Sequence, residues 1–263
     1  MTSAAVPRRP GRKLSAPTWW PSAVLVAVAG VVWQTGGDQG WWPSSVLPSP
    51  TRIFEAGGKE IGEGPFLGDA GSTVLAFGLS VILGIVLGGL AGYLFWRKQT
   101  LGKIFEPYLV SFYTVPLVVF YPMLIVIIGL NQWPIVLLGS VMAAIPMALN
   151  TWVGLSGIRK VYLNLARSLC LTRWQMVRQV ALPAAAPMII AGATLAAIYA
   201  LIGVVAMEFM VAQQGLGYRI RYRYESFDND GMYFYITSVL VLSLLIVWLL
   251  SYLPRILGTR SRS

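Results

Sequence analysis

Histidine is absent from the 263 residues. That removes Ser-His-Asp and Cys-His nucleophile systems, imidazole general bases and histidine metal ligands together. Cys170 is the single cysteine, so neither an intrachain disulfide nor a cysteine zinc cluster can form. Charged residues make up only 11% of the chain, against about 25% in an average soluble protein. No P-loop is present, because Gly58-Lys59 and Gly102-Lys103 lack the earlier glycine and the following hydroxyl residue. No two carboxylates lie close together within an apolar run. Asp228 and Asp230 read as solvated loop acids. Neither a catalytic residue, a metal nor a cofactor is expected.

What the chain has instead is apolar surface, with 56% hydrophobic residues and a mean hydropathy of +0.67. A membrane-crossing helix needs about 20 mostly apolar residues. Six candidate spans satisfy this or approach it: Trp19–Gln34, Gly71–Trp96, Pro107–Leu130, Trp133–Leu155, Pro183–Ala212 and Met232–Leu253. The expected fold is an all-α membrane protein, a six-span helical bundle. Its parts are a basic tail (1–18), a first span (19–34), an outer segment (35–70), a core (71–254) that includes a long loop (156–182), and a basic tail (255–263).

The net charge of +10 is distributed unevenly. Arg8, Arg9, Arg12 and Lys13 precede the first span. Arg97, Lys98 and Lys103 sit between the second and third. Arg159, Lys160, Arg167, Arg173 and Arg178 sit between the fourth and fifth, and Arg255, Arg260 and Arg262 close the chain. The acids gather in the alternate loops, apart from Glu106 and the intramembrane Glu208. Positive-inside bias then places both termini in the cytoplasm. The basic excess is accounted for by topology and membrane lipid, with no nucleic acid expected. The first span also fits a cleavable signal, through Ala27-Val28-Ala29 and the basic residues before it.

Local patterns add detail. Gly84, Gly88 and Gly92 share one face of the second span at small-xxx-small spacing, where another helix can approach closely. Pro116, Pro122, Pro134 and Pro146 bound or bend the third and fourth spans. In the outer segment, Ser49-Pro50 suits the start of a short helix through Ile53 and Phe54, either lying on the membrane surface or packed as an ordinary loop element. Glu208 is a functional candidate because a carboxylate inside a span is costly; a gate or interface role through hydrogen bonding is favoured over solute binding. Arg219, Arg221 and Arg223 alternate with Tyr218, Tyr222 and Tyr224 in what reads as a solvated outer loop.

The loop between the fourth and fifth spans is too long for a turn. Leu165, Leu169, Thr172 and Met176 share one face at helical spacing, and Trp174, Val177 and Ala181 a neighbouring one. This is a basic amphipathic element on the cytoplasmic side. Either it rests on anionic lipid or it docks a partner through apolar knobs.

The residues of this loop carry a resemblance. Asn164-Leu165-Ala166-Arg167-Ser168-Leu169-Cys170, then Arg173-Trp174, then Leu182-Pro183, resembles the EAA loop of binding-protein-dependent ABC importer permeases. Glu208 followed by Gly215-Leu216-Gly217-Tyr218, and Leu47-Pro48-Ser49-Pro50, resemble the nitrate/sulfonate/taurine group of that family. The resemblance covers roughly residues 41–258. It implies a bacterial inner-membrane permease whose coupling helices dock on a separate cytoplasmic ABC ATPase dimer. It further implies a second permease chain, an extracytoplasmic solute-binding protein, and a small anionic solute of the sulfonate, nitrate, taurine or organic-acid type, or else a vitamin precursor. Gly215 and Gly217 fall with Glu208 at the gate or translocation path. A secondary transporter or channel is the alternative class, and a membrane-embedded enzyme is disfavoured.

The chain departs from the family loop at three places. Asn164 stands where the family has Glu, Leu165 where it has Ala, and Cys170 where it has Gly. Cysteine adopts positive φ less readily than glycine. A mixed pair in which an unlike permease keeps the full motif fits these departures. So does a homodimer in which the bend at Cys170 needs no positive φ.

Overall fold

A computed structural model describes residues 19–62, 64–112 and 115–256. The expected basic tail 1–18, and nearly all of 255–263, lie outside the described residues. The described residues form helices joined by short connections. In chain order these are α1 (Trp19–Asp38), α2 (Pro50–Gly62), α3 (Phe66–Arg97), α4 (Gln99–Phe112), a 3₁₀ turn (Leu117–Phe120), α5 (Tyr121–Ile128) and α6 (Trp133–Ser156). They continue with α7 (Lys160–Ser168), α8 (Arg173–Met176), a π turn (Val177–Ala181), α9 (Leu182–Val211), α10 (Leu216–Glu225) and α11 (Asn229–Ile256).

The centre is α6, clasped between α3 and α9. The buried face of α3 runs Asp69, Thr73, Ala76, Ser80, Gly84, Gly88 and Gly92, which is small or polar throughout. Its other face carries Ile82, Val86, Leu87 and Leu90, all more than half exposed. This is the inverse of a soluble helix. Lipid tails are as apolar as leucine, so small residues turn inward to let backbones approach, and large apolar ones face outward. A side-chain carbon on Gly88 would lie 2.8 Å from Met147 Cβ, and one on Gly92 would lie 2.7 Å from Thr151 Cβ, both residues of α6. On the opposite side of α6, Gly154 of α6 meets Met188 of α9, and Gly192 of α9 meets Asn150 of α6.

Four described helical stretches are long and apolar enough to cross a membrane: α3, α6, the stretch containing α9, and α11. The bent pair of α4 with the 3₁₀ turn and α5 makes a fifth where it counts as one broken span. Helix α1 is not in this set. Its apolar run from Ala23 to Trp33 rises only about 16 Å at 1.5 Å per residue, against a hydrocarbon core of about 30 Å.

Two expectations change. Pro107–Leu130 is not one continuous span, because α4 and α5 are bent by 85° to each other. Pro116 lacks an N–H and disfavours helix in the residue before it, and it stands immediately before the 3₁₀ turn. Helix α3 also begins at Phe66 rather than at Gly71, so its first turn falls within the expected outer segment 35–70. Within that segment the short helix does start at Pro50. It buries Ile53, Gly57 and Glu60 and packs on α11, with Gly57 against the Phe234 ring.

Candidate functional site

Two regions gather the residues singled out by sequence. The first is the loop from α6 to α9. Helix α7 closes with a complete C-terminal motif. The Cys170 N–H donates to the Arg167 carbonyl at 2.9 Å, and the Leu171 N–H donates to the Ala166 carbonyl at 3.1 Å. This 5→2 and 6→1 pair is the Schellman arrangement, and it requires a left-handed residue at Cys170. Cys170 has φ +51°. The bend therefore does need positive φ, which overturns the expectation that cysteine fits there because none is required.

Chain direction changes at Cys170, so Leu165, Leu169, Thr172 and Met176 do not share one continuous helical face. Helix α8 restarts at Thr172, which forms a reciprocal capping box with Gln175. The Thr172-x-x-Gln175 spacing was legible as such a start but was read only as helix interior. From α8 the chain passes through the π turn directly into α9. Below the loop lies a packed cluster of Leu155, Ile158, Ala181 and Ala185, joined by Tyr93, Trp96 and Leu163.

Of the residues that carry the resemblance in this loop, Ala166 is buried. Asn164, Leu165, Arg167, Ser168, Leu169, Cys170, Arg173, Trp174, Leu182 and Pro183 are exposed. Leu169 is 64% exposed and Trp174 68%, apolar surface that the chain itself leaves uncovered. The Cys170 geometry also gives a stability prediction. A non-glycine residue in the left-handed region costs about 1 kcal/mol, so Cys170→Gly is expected to stabilise the loop by about that amount. Amide hydrogen exchange of Leu169, Cys170 and Leu171 in the reconstituted protein should slow; faster exchange would contradict the strained turn.

The second region lies where α3, α9 and α10 meet. The first N–H groups of any helix lack intrahelical partners, and α10 begins at the left-handed Gly215, φ +107°. Its first three amides are each taken by a side chain from another helix. The Gly215 N–H donates to Asp69 Oδ1 at 2.8 Å. The Leu216 N–H donates to Thr73 Oγ1 at 2.8 Å. The Gly217 N–H donates to Glu208 Oε2 at 3.0 Å. The Thr73 hydroxyl in turn donates to the Glu208 carboxylate at 2.9 Å. Glu208 is 2% exposed and Thr73 fully buried. Two carboxylates at this end also complement the positive pole of the α10 dipole.

Sequence reasoning had Glu208, Gly215 and Gly217 here but missed Asp69 and Thr73. Their signal was the i, i+4 spacing in register with Ser80, Gly84 and Gly88 on one face of α3. The arginines also differ from expectation. Arg219, Arg221 and Arg223 do not alternate in a solvated loop; they lie in α10, where i and i+4 share a face. Arg219 pairs with Asp69, and Arg223 with Glu60 and Asp228. Arg221 donates to the carbonyls of Met210 and Ala212. The Tyr235 hydroxyl completes the network by donating to Glu60 Oε2 at 2.7 Å. Asp228 and Asp230 are likewise paired rather than simply solvated, Asp230 with Arg52 at 3.0 Å. Among the described residues no three acidic or cysteine side chains converge to hold a metal ion.

Comparison with known proteins places these features in a family. Residues 80–258 match the model of the binding-protein-dependent transport system inner membrane component. The chain is 31% identical to the putative aliphatic sulfonates transport permease SsuC of Bacillus subtilis, over 82% of this chain and 78% of that protein. It is 27% identical to the formylaminopyrimidine transport permease ThiX of Halalkalibacterium halodurans, over 75% of this chain and 78% of that one. It is 28% identical to the nitrate import permease NrtB of Synechococcus elongatus, over 68% and 63%. Its fold matches an inward-facing structure of the MetNI methionine ABC transporter with a TM-score of 0.61 at 25% identity, covering 74% of this chain and 96% of that one. With its all-helical core, its apolar spans and a family match across most of its length, this chain belongs to the binding-protein-dependent transport system inner membrane components, the multi-pass permease subunits of ABC importers.

Proposed function

We propose that this permease imports a small solute by alternating access, driven by a cytoplasmic ABC ATPase pair that docks on α7 and α8. An extracytoplasmic binding protein delivers the solute, and a second permease chain, identical or unlike, completes the pore. In this reading six segments cross the bilayer, α1 through its full 20 residues, about 30 Å at 1.5 Å per residue, and both termini are cytoplasmic, as the lysines and arginines favour. The observation that carries the proposal is the passage of α8 through a π turn into α9 with Trp174 and Leu169 exposed. A partner gripping those side chains would move a continuous helical lever reaching the outer side at Val211. Rigid-body rotation of packed helices is a common way of converting such a push into a change of access. The secondary-transporter alternative loses its best residue, because Glu208 is engaged at the start of α10.

The test is docking. Trp174→Asp places a charge in an apolar contact at a cost of a few kcal/mol, which corresponds to weakening of about a hundredfold. Binding of the cognate ATPase to the membrane-inserted variant is expected to fall by that factor, with solute-driven uptake lost. ATPase binding unchanged in Trp174→Asp and Leu169→Asp, or uptake in cells lacking the ATPase, would overturn the reading and the cytoplasmic placement of the loop together.

A further inference from the structure

Phe227 stands out from the polar network beside it. It is 89% exposed, more than any other large apolar side chain among the described residues, and its φ is +57°. A bulky residue in the left-handed region is an outlier. Such residues persist only where their surroundings hold them, and the turn from α10 to α11 does so. The Phe227 N–H donates to the Tyr224 carbonyl at 3.1 Å, and the Asp228 N–H donates to the Arg223 carbonyl at 2.9 Å. This is the same helix-closing pair as at Cys170. An apolar contact commonly supports the motif at the places of Arg223 and Asp228; here an ion pair at 2.9 Å takes that role. Asp228 Oδ1 also accepts the Gly231 N–H at 3.1 Å, in the first turn of α11. Backbone and Asp228 therefore close the turn, and glycine would serve it better than Phe227. To the fold the phenyl ring brings strain and exposed apolar area, a combination that marks recognition.

Height decides between lipid and a soluble partner. Measured back from Arg97, the last residue of α3, a hydrocarbon core of about 30 Å takes about 20 residues. Asp69 and Thr73 hold the first amides of α10. They then lie about 12 and 6 Å beyond the outer edge of that core. The same measure from Arg255 of α11 puts Asn229, where that helix begins, about 9 Å beyond it. The headgroup layer adds about 5–7 Å on each side. Helix α10 thus lies across the outer end of the bundle, and Phe227 at its close is out of reach of acyl chains. Charge points the same way. Arg221 and Arg223 turn to the Met210 and Ala212 carbonyls and to Glu60, while the Glu225 side chain stays 64% exposed. An acidic free edge is repelled by anionic headgroups and complements a basic protein surface. Tyr224, 62% exposed, adds a second aromatic to the patch.

We infer that Phe227 is the anchor by which the extracytoplasmic binding protein docks, entering an apolar pocket of that protein rimmed by lysine or arginine. The inference rests on the importer reading above and adds where on the outer face the partner grips, and with what chemistry.

The experiment titrates the full-length permease in lipid nanodiscs with its purified cognate binding protein. Phe227→Gly removes the anchor and relieves the turn. Docking should weaken about thirtyfold, while exchange of the Asp228 amide slows about fivefold; a merely structural phenylalanine would not weaken docking as the turn tightens. Phe227→Trp keeps an aromatic anchor and should dock as the parent does. Glu225→Lys should weaken docking at low salt and less so at high salt. Phe227→Gly docking as tightly as the parent, or Phe227→Trp docking as weakly as Phe227→Gly, would overturn the inference. Loss of permease self-association in Phe227→Gly with docking intact would assign the residue to a second copy instead. A nitroxide on Phe227→Cys, in a Cys170→Ser background that leaves no other thiol, should meet a water-soluble nickel chelate more readily than oxygen. The reverse would place it in lipid and overturn the inference. A parent that fails to bind the binding protein while its ATPase docking responds to Trp174→Asp overturns this inference alone. ATPase docking that does not respond overturns the importer reading whatever Phe227 does.

Discussion

Gly88→Leu is expected to lower stability by about 3 kcal/mol or more and to leave little folded permease in the membrane. A Cβ at this position meets Met147 Cβ at 2.8 Å and Ala144 Cα at 2.9 Å, inside the distance that real side chains tolerate. These are backbone and near-backbone atoms of the central helix, so relief requires moving α3 away from α6. Overpacking a close contact costs about 1–3 kcal/mol when the neighbours can shift, and more when a whole helix pair must separate. The matched control is Gly89→Leu. A Cβ there finds only Met147 Cε, at 3.6 Å, an ordinary contact with the end of a flexible side chain. Thermal unfolding of the two variants in detergent should separate them widely. Equal melting temperatures would mean that α3 and α6 do not pack as described.

Glu208→Ala should be nearly as costly, by a different route. It removes the acceptor of the Thr73 hydroxyl and of the Gly217 N–H, and both donors stay buried. An orphaned buried donor costs about 1–3 kcal/mol, so a loss of roughly 2–5 kcal/mol is expected, concentrated at the start of α10. Glu208→Gln keeps an oxygen acceptor and gives up the charge facing the helix N-terminus, a smaller effect of about 1 kcal/mol. Hydrogen exchange of the Gly215, Leu216 and Gly217 amides should rank the three proteins in that order. Exchange unaffected by Glu208→Ala would remove Glu208 from the role of holding α10.

How much of this was legible beforehand varied by kind of feature. Long apolar runs and their lysine and arginine flanks revealed the helical membrane class and the basic character of the 156–182 loop, because both depend on local composition. The glycines of α3 pointed to a close approach by another helix, but not to α6 as the partner. Pro116 marked span three for a bend, but hydropathy averages over a window and does not give its size, 85° between α4 and the 3₁₀ turn with α5. The arginine–tyrosine alternation was read with a period of two. Gly215, Leu216, Arg219 and Arg223 fit a capped helix better, with the arginines one turn apart.

The sequence by itself determined that this is a helical membrane permease with a long basic loop between α6 and α9, since those properties follow from runs of like residues and from a motif of neighbouring ones. It also determined that Glu208 needs a special environment, because the cost of burying a carboxylate is a property of the residue. Tertiary structure alone decided what that environment is. Asp69, Thr73 and Glu208 are separated by up to 139 positions in the chain, yet each accepts one of three consecutive amides at the start of α10. Helix ends leave donors that must be satisfied somewhere, and only the packing of α3 against α9 fixes which side chains reach them. The same packing decided that Cys170 turns with positive φ, and that the Tyr121 hydroxyl is enclosed without a partner.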